Sequence, residues 1–321
     1  MRDNTQTMKI MLAPMEGVVD YYMRDLLTDL GGYDACVTEF IRVVGHIIPD
    51  KVFYRFCPEL KQNGHTKAGT PVIVQLLGSD PSVMADNACR AVELGAPGID
   101  LNFGCPAKCV NKKAGGAFLL QEPDQLFQII QRVRNAVEPN IPVSAKIRLG
   151  YQSTDLAFDN ALAVQAAGAD YVTVHARTKT DGYKAPARWE WLGLIKEKLD
   201  IPVIANGDIN SVADFKRCLE ISQCNSIMIG RGAVARPDLA RQIKQFHLNE
   251  INNDVMDWED VRPLIIAMAE AMTENVKGRF IVARIKQWLV MLKREFAEAQ
   301  LCFDEVRKLK QYSELQTVLK F

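Results

Sequence analysis

A cysteine in a tight turn is the residue of this chain best placed to do chemistry. The segment Leu101–Pro106 follows the short apolar run Gly98–Leu101, so Cys105 falls just past the end of a predicted strand, between a glycine and a proline. Loops that follow parallel strands are where α/β enzymes carry their catalytic groups. A thiol there can act as a nucleophile, a metal ligand or a proton donor, and a buried structural cysteine is the remaining interpretation.

The surrounding sequence argues against one of these roles and leaves the others open. Cys105 and Cys109 have C-x₃-C spacing, but no second pair follows nearby and the chain has 4 histidines, so we predict no metal site. A nucleophilic thiol needs a base beside it, which His175 could supply if the fold brings it near. A neutral thiol, with a reference pKa of about 8.5, stays mostly protonated at neutral pH and can donate a proton.

The elements that must position this cysteine are short apolar runs separated by segments with helical spacing. Most of the runs are continuous rather than alternating, as expected for parallel strands that are covered on both faces. Repeated strand-then-helix units without G-x-G-x-x-G after the first strand predict an α/β fold, a (β/α)₈ TIM barrel, rather than a doubly wound sheet. The predicted strands are Ile10–Pro14, Cys36–Phe40, Val72–Leu76, Gly98–Leu101, Val143–Ile147, Tyr171–His175, Val203–Ala205 and Ser226–Ile229.

Polar side chains follow these runs at their C-terminal ends, which in a barrel converge on one mouth. Asn206-Gly207-Asp208 and Gly230-Arg231-Gly232 follow the last two strands, where this fold often holds a phosphate on glycine amides and a helix N-terminus. Lys146 would place a cation in the mouth, suited to the negative charge that a flavin ring gains on reduction, and Gln75 could bind the opposite edge of such a ring. We therefore predict a catalytic mouth with a phosphorylated ligand.

Composition limits the class of protein. The chain has 321 residues with 39 Lys+Arg and 39 Asp+Glu, so it lacks the overall basic excess that is typical of a generic nucleic-acid binder. Its 8 cysteines are scattered, which favours a reduced, cytoplasmic protein over a disulfide framework. The polar N-terminus predicts no signal peptide, and no apolar stretch is long enough to predict a membrane span.

The character of the sequence changes near residue 246. Segment 250–275 is rich in acids, whereas segment 277–294 carries bases and no acids. In the basic segment, apolar residues at helical spacing form one stripe, which consists of Ile281, Ile285, Trp288, Leu289 and Leu292. We predict a barrel domain over residues 1–246 and a separate all-helical domain over residues 247–321, whose bases either contact phosphates or form a solvated face.

Taken together, the motifs resemble those of the tRNA-dihydrouridine synthase family over nearly the whole chain. The N-x-G-C-P and H-x-R-T motifs, in this order and spacing, are specific, and segment 283–289 resembles the bacterial class C branch, which modifies uridine 16 of tRNA. The matching segments are Ala13–Gly17, Gln75–Leu76, Asp100–Pro106, Lys146–Arg148, His175–Thr178, Ile204–Asp208 and Met228–Gly232.

The resemblance implies an FMN-binding barrel followed by a helical tRNA-binding domain. NADPH (or NADH) would reduce FMN, a hydride would pass to C6 of a flipped-out uracil, and Cys105 would protonate C5. The residues that match the FMN site are Pro14, Met15, Glu16, Gln75, Lys146, His175, Asn206, Gly207, Asp208, Gly230 and Arg231. Those expected to contact the tRNA substrate are Arg42, Asn102, Arg177, Tyr183, Arg284, Lys286 and Arg307.

Two other functions compete with this one. An FMN-dependent reductase of a free pyrimidine, resembling dihydroorotate dehydrogenases, would need no basic C-terminal domain. An RNA-binding or folding-assist protein with a vestigial flavin site would not need Cys105. For the leading function we expect tRNA as the partner, no membrane association, no obligate protein partner and a monomer in the cytoplasm.

Overall fold

The barrel is the central feature of the computed structural model, which describes residues 8–111, 115–250 and 255–319. Eight parallel strands form a closed ring, because β2 pairs with β1 on one side and with β4 on the other. The strands in the described residues are β1 (Ile10–Leu12), β2 (Ala35–Val37), β3 (Ile41–Arg42), β4 (Val72–Leu77), β5 (Ile99–Asn102), β6 (Val143–Gly150), β7 (Tyr171–Thr178), β8 (Val203–Asn206) and β9 (Ser226–Ile229). The predicted (β/α)₈ barrel is confirmed.

The strands form where the sequence is continuously apolar, since both faces of the ring are covered. All six residues of β4 and all four of β5 and β8 are buried. The sequence did not predict β3, a two-residue strand that pairs with the end of β4 on the edge that β2 also occupies. Its shortness gives no periodic signal.

Helices follow the strands and cover the barrel. Side chains cap two of the helices at their N-termini: Asp80 accepts a hydrogen bond from Val83 N at 2.9 Å, and Ser211 accepts one from Asp214 N at 3.0 Å. The helices are α1 (Tyr21–Asp29), α2 (Asp50–Phe56), α3 (Pro81–Glu93), α4 (Lys108–Asn111), α5 (Pro123–Ala136), α6 (Ala157–Ala166), α7 (Trp189–Lys196), α8 (Val212–Ser222), α9 (Arg231–Ala235), α10 (Leu239–His247), α11 (Trp258–Ala271), α12 (Gly278–Leu292), α13 (Ala297–Val306) and α14 (Tyr312–Leu319).

The C-terminal helices pack onto the barrel through the predicted apolar stripe of α12. Trp288 is fully buried, and its indole nitrogen donates to Val234 O at 3.0 Å, which joins α12 to α9. The other members of the stripe are at most 1% exposed. The stripe therefore serves as the contact that fixes the helical region against the C-terminal end of the barrel, next to the loops that follow the strands.

Two further findings concern the described residues only. None of their helices is both long and apolar enough to cross a membrane. They also contain no cluster of three or more His, Cys, Asp or Glu side chains that could hold a metal ion.

Candidate active site

A cavity of about 550 Å³ opens at the C-terminal ends of the barrel strands. That volume is suited to a cofactor-sized ligand. Every residue that the resemblance assigned to the FMN site lines it, and so do Cys105, Asn102 and Tyr183. The strand ends therefore bring together side chains that are far apart in the sequence, as the barrel geometry requires.

Cys105 is held at the cavity wall by its own turn. The side-chain oxygen of Asn102, the last residue of β5, accepts hydrogen bonds from Gly104 N at 3.0 Å and Cys105 N at 2.9 Å. Asn111 donates to the Cys105 carbonyl at 3.0 Å from the other side. The residue is 9% exposed, and burial raises the pKa of its thiol. The thiol is therefore neutral at physiological pH and carries the proton that a general acid needs.

The geometry around His175 disfavours a nucleophilic role for Cys105. The imidazole lies among Arg148, Lys146 and Arg177, and burial together with these cations lowers its pKa well below the usual value. Its Nε2 atom lies 3.2 Å from a guanidinium nitrogen of Arg177. Because a guanidinium can only donate, Nε2 accepts and is not free to take a proton from the thiol. An activated cysteine would in addition need a lowered pKa, not a raised one.

The Cys105 turn depends on a glycine across from it, which yields a testable prediction. Gly116 has φ +60°, and a Cβ there would lie 3.0 Å from Cys105 O and 3.1 Å from Cys105 Cβ. We expect Gly116→Ala to destabilise the protein by more than the ~1–2 kcal/mol of left-handed backbone alone, and to lower turnover by displacing Cys105. The control is Gly69→Ala, with φ +82° and open space around its Cβ.

Urea unfolding and turnover of both glycine variants test this expectation. Gly69→Ala should show only the backbone cost and keep wild-type turnover. Equal losses of stability and activity in the two variants would mean that Gly116 does not position the Cys105 turn.

Lys146, Arg148 and Arg231 give the cavity an excess of positive charge. Lys146 Nζ donates to Asn206 Oδ1 at 3.0 Å, and burial together with the nearby Arg148 lowers the pKa of this lysine to about 8. Burial also lowers the pKa values of Arg148 and Arg231. Buried cations carry a desolvation penalty that an anionic ligand would offset, so the cavity is suited to a negatively charged or electron-rich ligand.

Asp208 is the carboxylate that organises one end of the cavity. It pairs with Arg177, lies 3.3 Å from an Arg231 guanidinium nitrogen and accepts from Ala187 N at 2.8 Å. Arg231 in turn lies over the ring of Tyr183, 5.1 Å from its centroid, and 32% of its side chain remains exposed. Arg231 therefore keeps donor capacity for an anion, and it lines the cavity together with Gly207 and Gly230, the residues for which the sequence predicts a phosphate site.

Two of the residues predicted to contact tRNA reach neither the cavity nor the surface. Arg177 is 1% exposed, because its guanidinium binds Asp208 and Lys184 O. Arg284 is 8% exposed and binds Asp20 Oδ2 at 3.0 Å, together with Val18 O. Both arginines are engaged inside the protein, so the predicted RNA contacts have no support in this geometry.

Of the other predicted tRNA contacts, Asn102 and Tyr183 line the cavity. The remaining three lie outside it with part of their surface free. Lys286 donates to Leu309 O at 2.5 Å, and Arg42 donates to Cys109 O at 3.1 Å. Arg307 lies 3.6 Å from Asp304, with 55% of its side chain exposed. Their roles stay predictions.

Sequence reasoning assigned no role to Arg148, although it joins the loop after β5 to the end of β7 and the loop that follows it. Its guanidinium donates to Gly104 O at 2.7 Å, to Thr178 O at 3.1 Å and to Gly182 O at 3.0 Å, and it lies over the ring of Tyr183. A signal was available, because Arg148 follows Lys146 by two positions and therefore points to the same face of β6. Met291 on α12, which also lines the cavity, gave no such signal.

Comparison with known proteins identifies the family. A family model described as dihydrouridine synthase (Dus) matches residues 11–320. The chain belongs to the dihydrouridine synthase family. Its relatives include the tRNA-dihydrouridine(16) synthases of Shewanella oneidensis, 49% identical over 98% of this chain and 98% of that one, and of Pseudomonas syringae pv. tomato, 51% identical over 94% and 95%. As a dihydrouridine synthase, the protein is a flavin-dependent oxidoreductase that uses FMN and NADPH.

Solved structures with the same barrel are more distant. They include a 2-naphthoyl-CoA reductase (TM-score 0.57, 13% identity, 77% of this chain and 51% of that one) and the histamine dehydrogenase of Rhizobium sp. 4-9 (TM-score 0.56, 15% identity, 81% and 49%). The chain spans about half the length of each of these proteins. At such identities the likeness supports the fold alone.

The residues of this dihydrouridine synthase fit FMN. The cavity lining includes a lysine cation, the amides of Gln75 and Asn102 on the two strands beside it, and an arginine with two glycine backbones. This donor set suits a phosphate monoester at one end and a ring with carbonyl oxygens at the other.

Proposed function

We propose that this protein reduces uridine 16 in the D-loop of tRNA to dihydrouridine. The observation that carries the proposal is a neutral, buried thiol on the wall of a cation-lined cavity, in a chain about half identical to proteins named tRNA-dihydrouridine(16) synthase. A base stacked in RNA cannot enter this cavity, so the target uridine has to be flipped out of its stack.

In the proposed mechanism the residues that line the cavity have distinct roles. FMN, when bound, supplies the hydride for C6 of the uracil ring. Cys105 donates its thiol proton to C5, and solvent restores that proton afterwards. The amide N–H groups of Gln75 and Asn102 bind carbonyl oxygens, and the Lys146 ammonium stabilises negative charge that develops during the reaction.

For tRNA binding, we propose that the helical region within residues 247–321 forms the second contact surface, separate from the barrel of residues 1–246. The support is the set of exposed bases on and beside α12, which are Lys277, Arg279, Lys293 and Arg294. Arg294 lies near enough to Arg231 at the cavity to lower the pKa of that arginine. Tyr183, 56% exposed at the mouth, offers a ring on which an RNA base could stack.

Because Arg284 is buried, a prediction can distinguish a role in holding α12 against the barrel from a direct contact with RNA. We expect Arg284→Met to lower the free energy of unfolding by ~1–3 kcal/mol, because it removes the bonds to Asp20 and Val18 O that hold α12 against the loop after β1. It should leave the salt dependence of tRNA binding unchanged. Arg294→Met, which changes an exposed arginine of the same segment, should reduce the log–log salt slope by about 0.7–0.9 without a loss of stability.

Urea unfolding and tRNA binding at several salt concentrations measure both effects. A reduced salt slope with unchanged stability in Arg284→Met would restore the RNA contact that the sequence suggested.

The test of the function is a mass-spectrometric map of tRNA that lacks dihydrouridine, after incubation with the purified protein and NADPH. A gain of two hydrogens at position 16 alone is expected. A gain at another D-loop uridine would reject position 16. No gain on tRNA, with reduction of a free pyrimidine by the same preparation, would favour the alternative reductase.

A tRNA substrate also leads us to propose that the enzyme works in the cytoplasm, as a monomer.

A further inference from the structure

Beneath the cavity wall lies a carboxylate to which neither the sequence nor the family comparison assigns a role. Asp100 on β5 is 1% exposed and does not line the cavity. Its Oδ1 accepts a hydrogen bond from Ser144 Oγ, and its Oδ2 accepts one from Gln75 Nε2, both at 2.6 Å. These three residues lie side by side on β4, β5 and β6, in direct register. Burying a carboxylate is unfavourable, so its presence here calls for a reason.

A chain of hydrogen bonds connects this carboxylate to the Cys105 turn. Gln75 Oε1 accepts from Asn102 Nδ2 at 2.8 Å. Asn102 Oδ1 then accepts from the backbone nitrogens of Gly104 and Cys105. The bonds therefore run from Asp100 through two side-chain amides to the backbone that holds the thiol.

The groups at the two ends of this chain of hydrogen bonds determine which atom donates and which accepts in every bond. The backbone N–H groups of Gly104 and Cys105 can only donate, so Asn102 must turn its oxygen toward them and its nitrogen toward Gln75. Gln75 must then turn its oxygen toward Asn102 and its nitrogen toward Asp100. Only an acceptor at position 100 satisfies that nitrogen. Burial raises the pKa of Asp100 despite its hydrogen bonds, but Oδ2 faces an N–H group and accepts in either protonation state.

We propose that Asp100 is a positioning residue that sets the orientation of the Gln75 and Asn102 amides, and through them the placement of Cys105. The side-chain nitrogens of Gln75 and Asn102 each use one N–H group in this chain of hydrogen bonds. Each keeps its second N–H group for the cavity, which both residues line. The wall is thereby a donor surface, matched to carbonyl oxygens of a bound ring. A flipped Gln75 would present its oxygen instead and repel the same ring. The chain of bonds is independent of which uridine the enzyme reduces.

The experiment exchanges donor and acceptor along this chain. In Asp100→Leu, no atom at position 100 can accept from the Gln75 nitrogen, so that amide loses its partner and can flip. Asp100→Asn alone would not break the chain of bonds, because its oxygen can accept from Gln75 while its nitrogen donates to Ser144 Oγ. In Gln75→Glu, two carboxylates face each other. The double variant combines Gln75→Glu with Asp100→Asn. Its amide at position 100 would donate to the carboxylate at position 75 and accept from Ser144, and that carboxylate would accept from Asn102, so every bond of the chain exists again.

A control variant accounts for the loss of a buried charge. Asp238 is also fully buried but lies outside the chain of bonds, and Asp238→Leu removes its charge without touching the cavity wall. Any effect shared by Asp238→Leu and Asp100→Leu therefore comes from the loss of a buried carboxylate and not from the orientation of the amides.

Two readouts on the holoenzyme report on the proposal, and one of them does not depend on activity. The first is the rate at which iodoacetamide modifies Cys105, followed by peptide mass spectrometry; the second is turnover on tRNA. We expect Asp100→Leu to change the alkylation rate about threefold or more and to lower turnover about 10- to 100-fold, since the thiol and the amides are displaced. The double variant should return to the wild-type alkylation rate but keep low turnover, because a carboxylate at position 75 cannot donate to the ring.

Other results would overturn the proposal. Wild-type alkylation and turnover in Asp100→Leu would show that the carboxylate orients nothing. Equal effects in Asp100→Leu and Asp238→Leu would mean that a buried charge was lost and no more. If the single variant does not fold, a double variant that also fails to recover the alkylation rate rejects the chain of bonds. Failure of the proposed uridine 16 function would leave the alkylation results unaffected, so the two failures are distinguishable.

Discussion

Replacing Cys105 with alanine is expected to lower turnover on tRNA by about 10²- to 10⁴-fold, the usual contribution of a positioned general acid. The cavity keeps its other lining residues, so FMN should remain bound and its reduction by NADPH should proceed at the wild-type rate. Single-turnover kinetics on unmodified tRNA, run beside anaerobic reduction of the bound flavin, separate the two steps. Cys109→Ala is the matched control, because this exposed cysteine lies four positions further on and uses only its backbone carbonyl to bind Arg42.

The pH dependence of the reaction tests the same role. A general acid works only while protonated, and burial raises the pKa of the Cys105 thiol. The plateau of kcat/KM should therefore extend to higher pH than an ordinary cysteine allows, and the rate should fall once the thiol loses its proton. In Cys105→Ser the fall should disappear, since a serine hydroxyl does not titrate in this range, while the rate stays low. A wild-type rate in Cys105→Ala, or the same alkaline fall in Cys105→Ser, would assign the proton to another group.

Lys146→Met should also impair the enzyme strongly. It removes the cation that the cavity presents beside Asn206, and turnover should fall by about 10²- to 10³-fold, as when a positioned electrostatic donor is lost from an active site. The midpoint potential of the bound flavin should become more negative, because the reduced ring loses a neighbouring positive charge. Redox titration of the holoenzyme and steady-state kinetics measure the two effects. An unchanged potential would place Lys146 away from the part of the ring that gains charge.

The same variant should be more stable than the wild type when FMN is absent. The pKa of Lys146 falls from its usual 10.5 to about 8 in the folded protein, so between these values the unfolded chain binds more protons. Stability of the flavin-free wild type therefore rises with pH across this window, and below pH 8 the buried charge destabilises the fold by a constant amount. Lys146→Met removes that penalty. Urea unfolding should show its advantage at pH 7 and a shrinking difference above pH 8; an advantage independent of pH would contradict the assignment.

The barrel and the composition of its mouth could be predicted because their signals are local. Continuous apolar runs mark strands that are buried on both faces, and the residues just beyond them reach the same rim. Lys146, His175 and Asn206 were found in this way, and all three line the cavity. The pattern failed for β3, where two residues are too few to carry a period.

The spacing of Arg284 within α12 indicated burial, but its positive charge favoured the interpretation of an exposed RNA contact. Arg284 lies three positions after Ile281 and four before Trp288, so it shares the buried face of α12 with the apolar stripe. The family resemblance, together with the basic character of the segment, placed it among the expected RNA contacts. Only the packing of α12 against the loop after β1 revealed Asp20 and Val18 O as its partners.

The strands, the turn that carries Cys105 and the residue types around the cavity follow from the amino-acid sequence alone, because each depends on neighbours along the chain. The protonation of the thiol, the neutrality of His175 and the direction of the bonds from Asp100 through Gln75 to Asn102 emerge only in the folded barrel. These properties depend on burial and on distances between adjacent strands. Residues 25 positions apart in the sequence become hydrogen-bonded neighbours only when the barrel register places β4 beside β5.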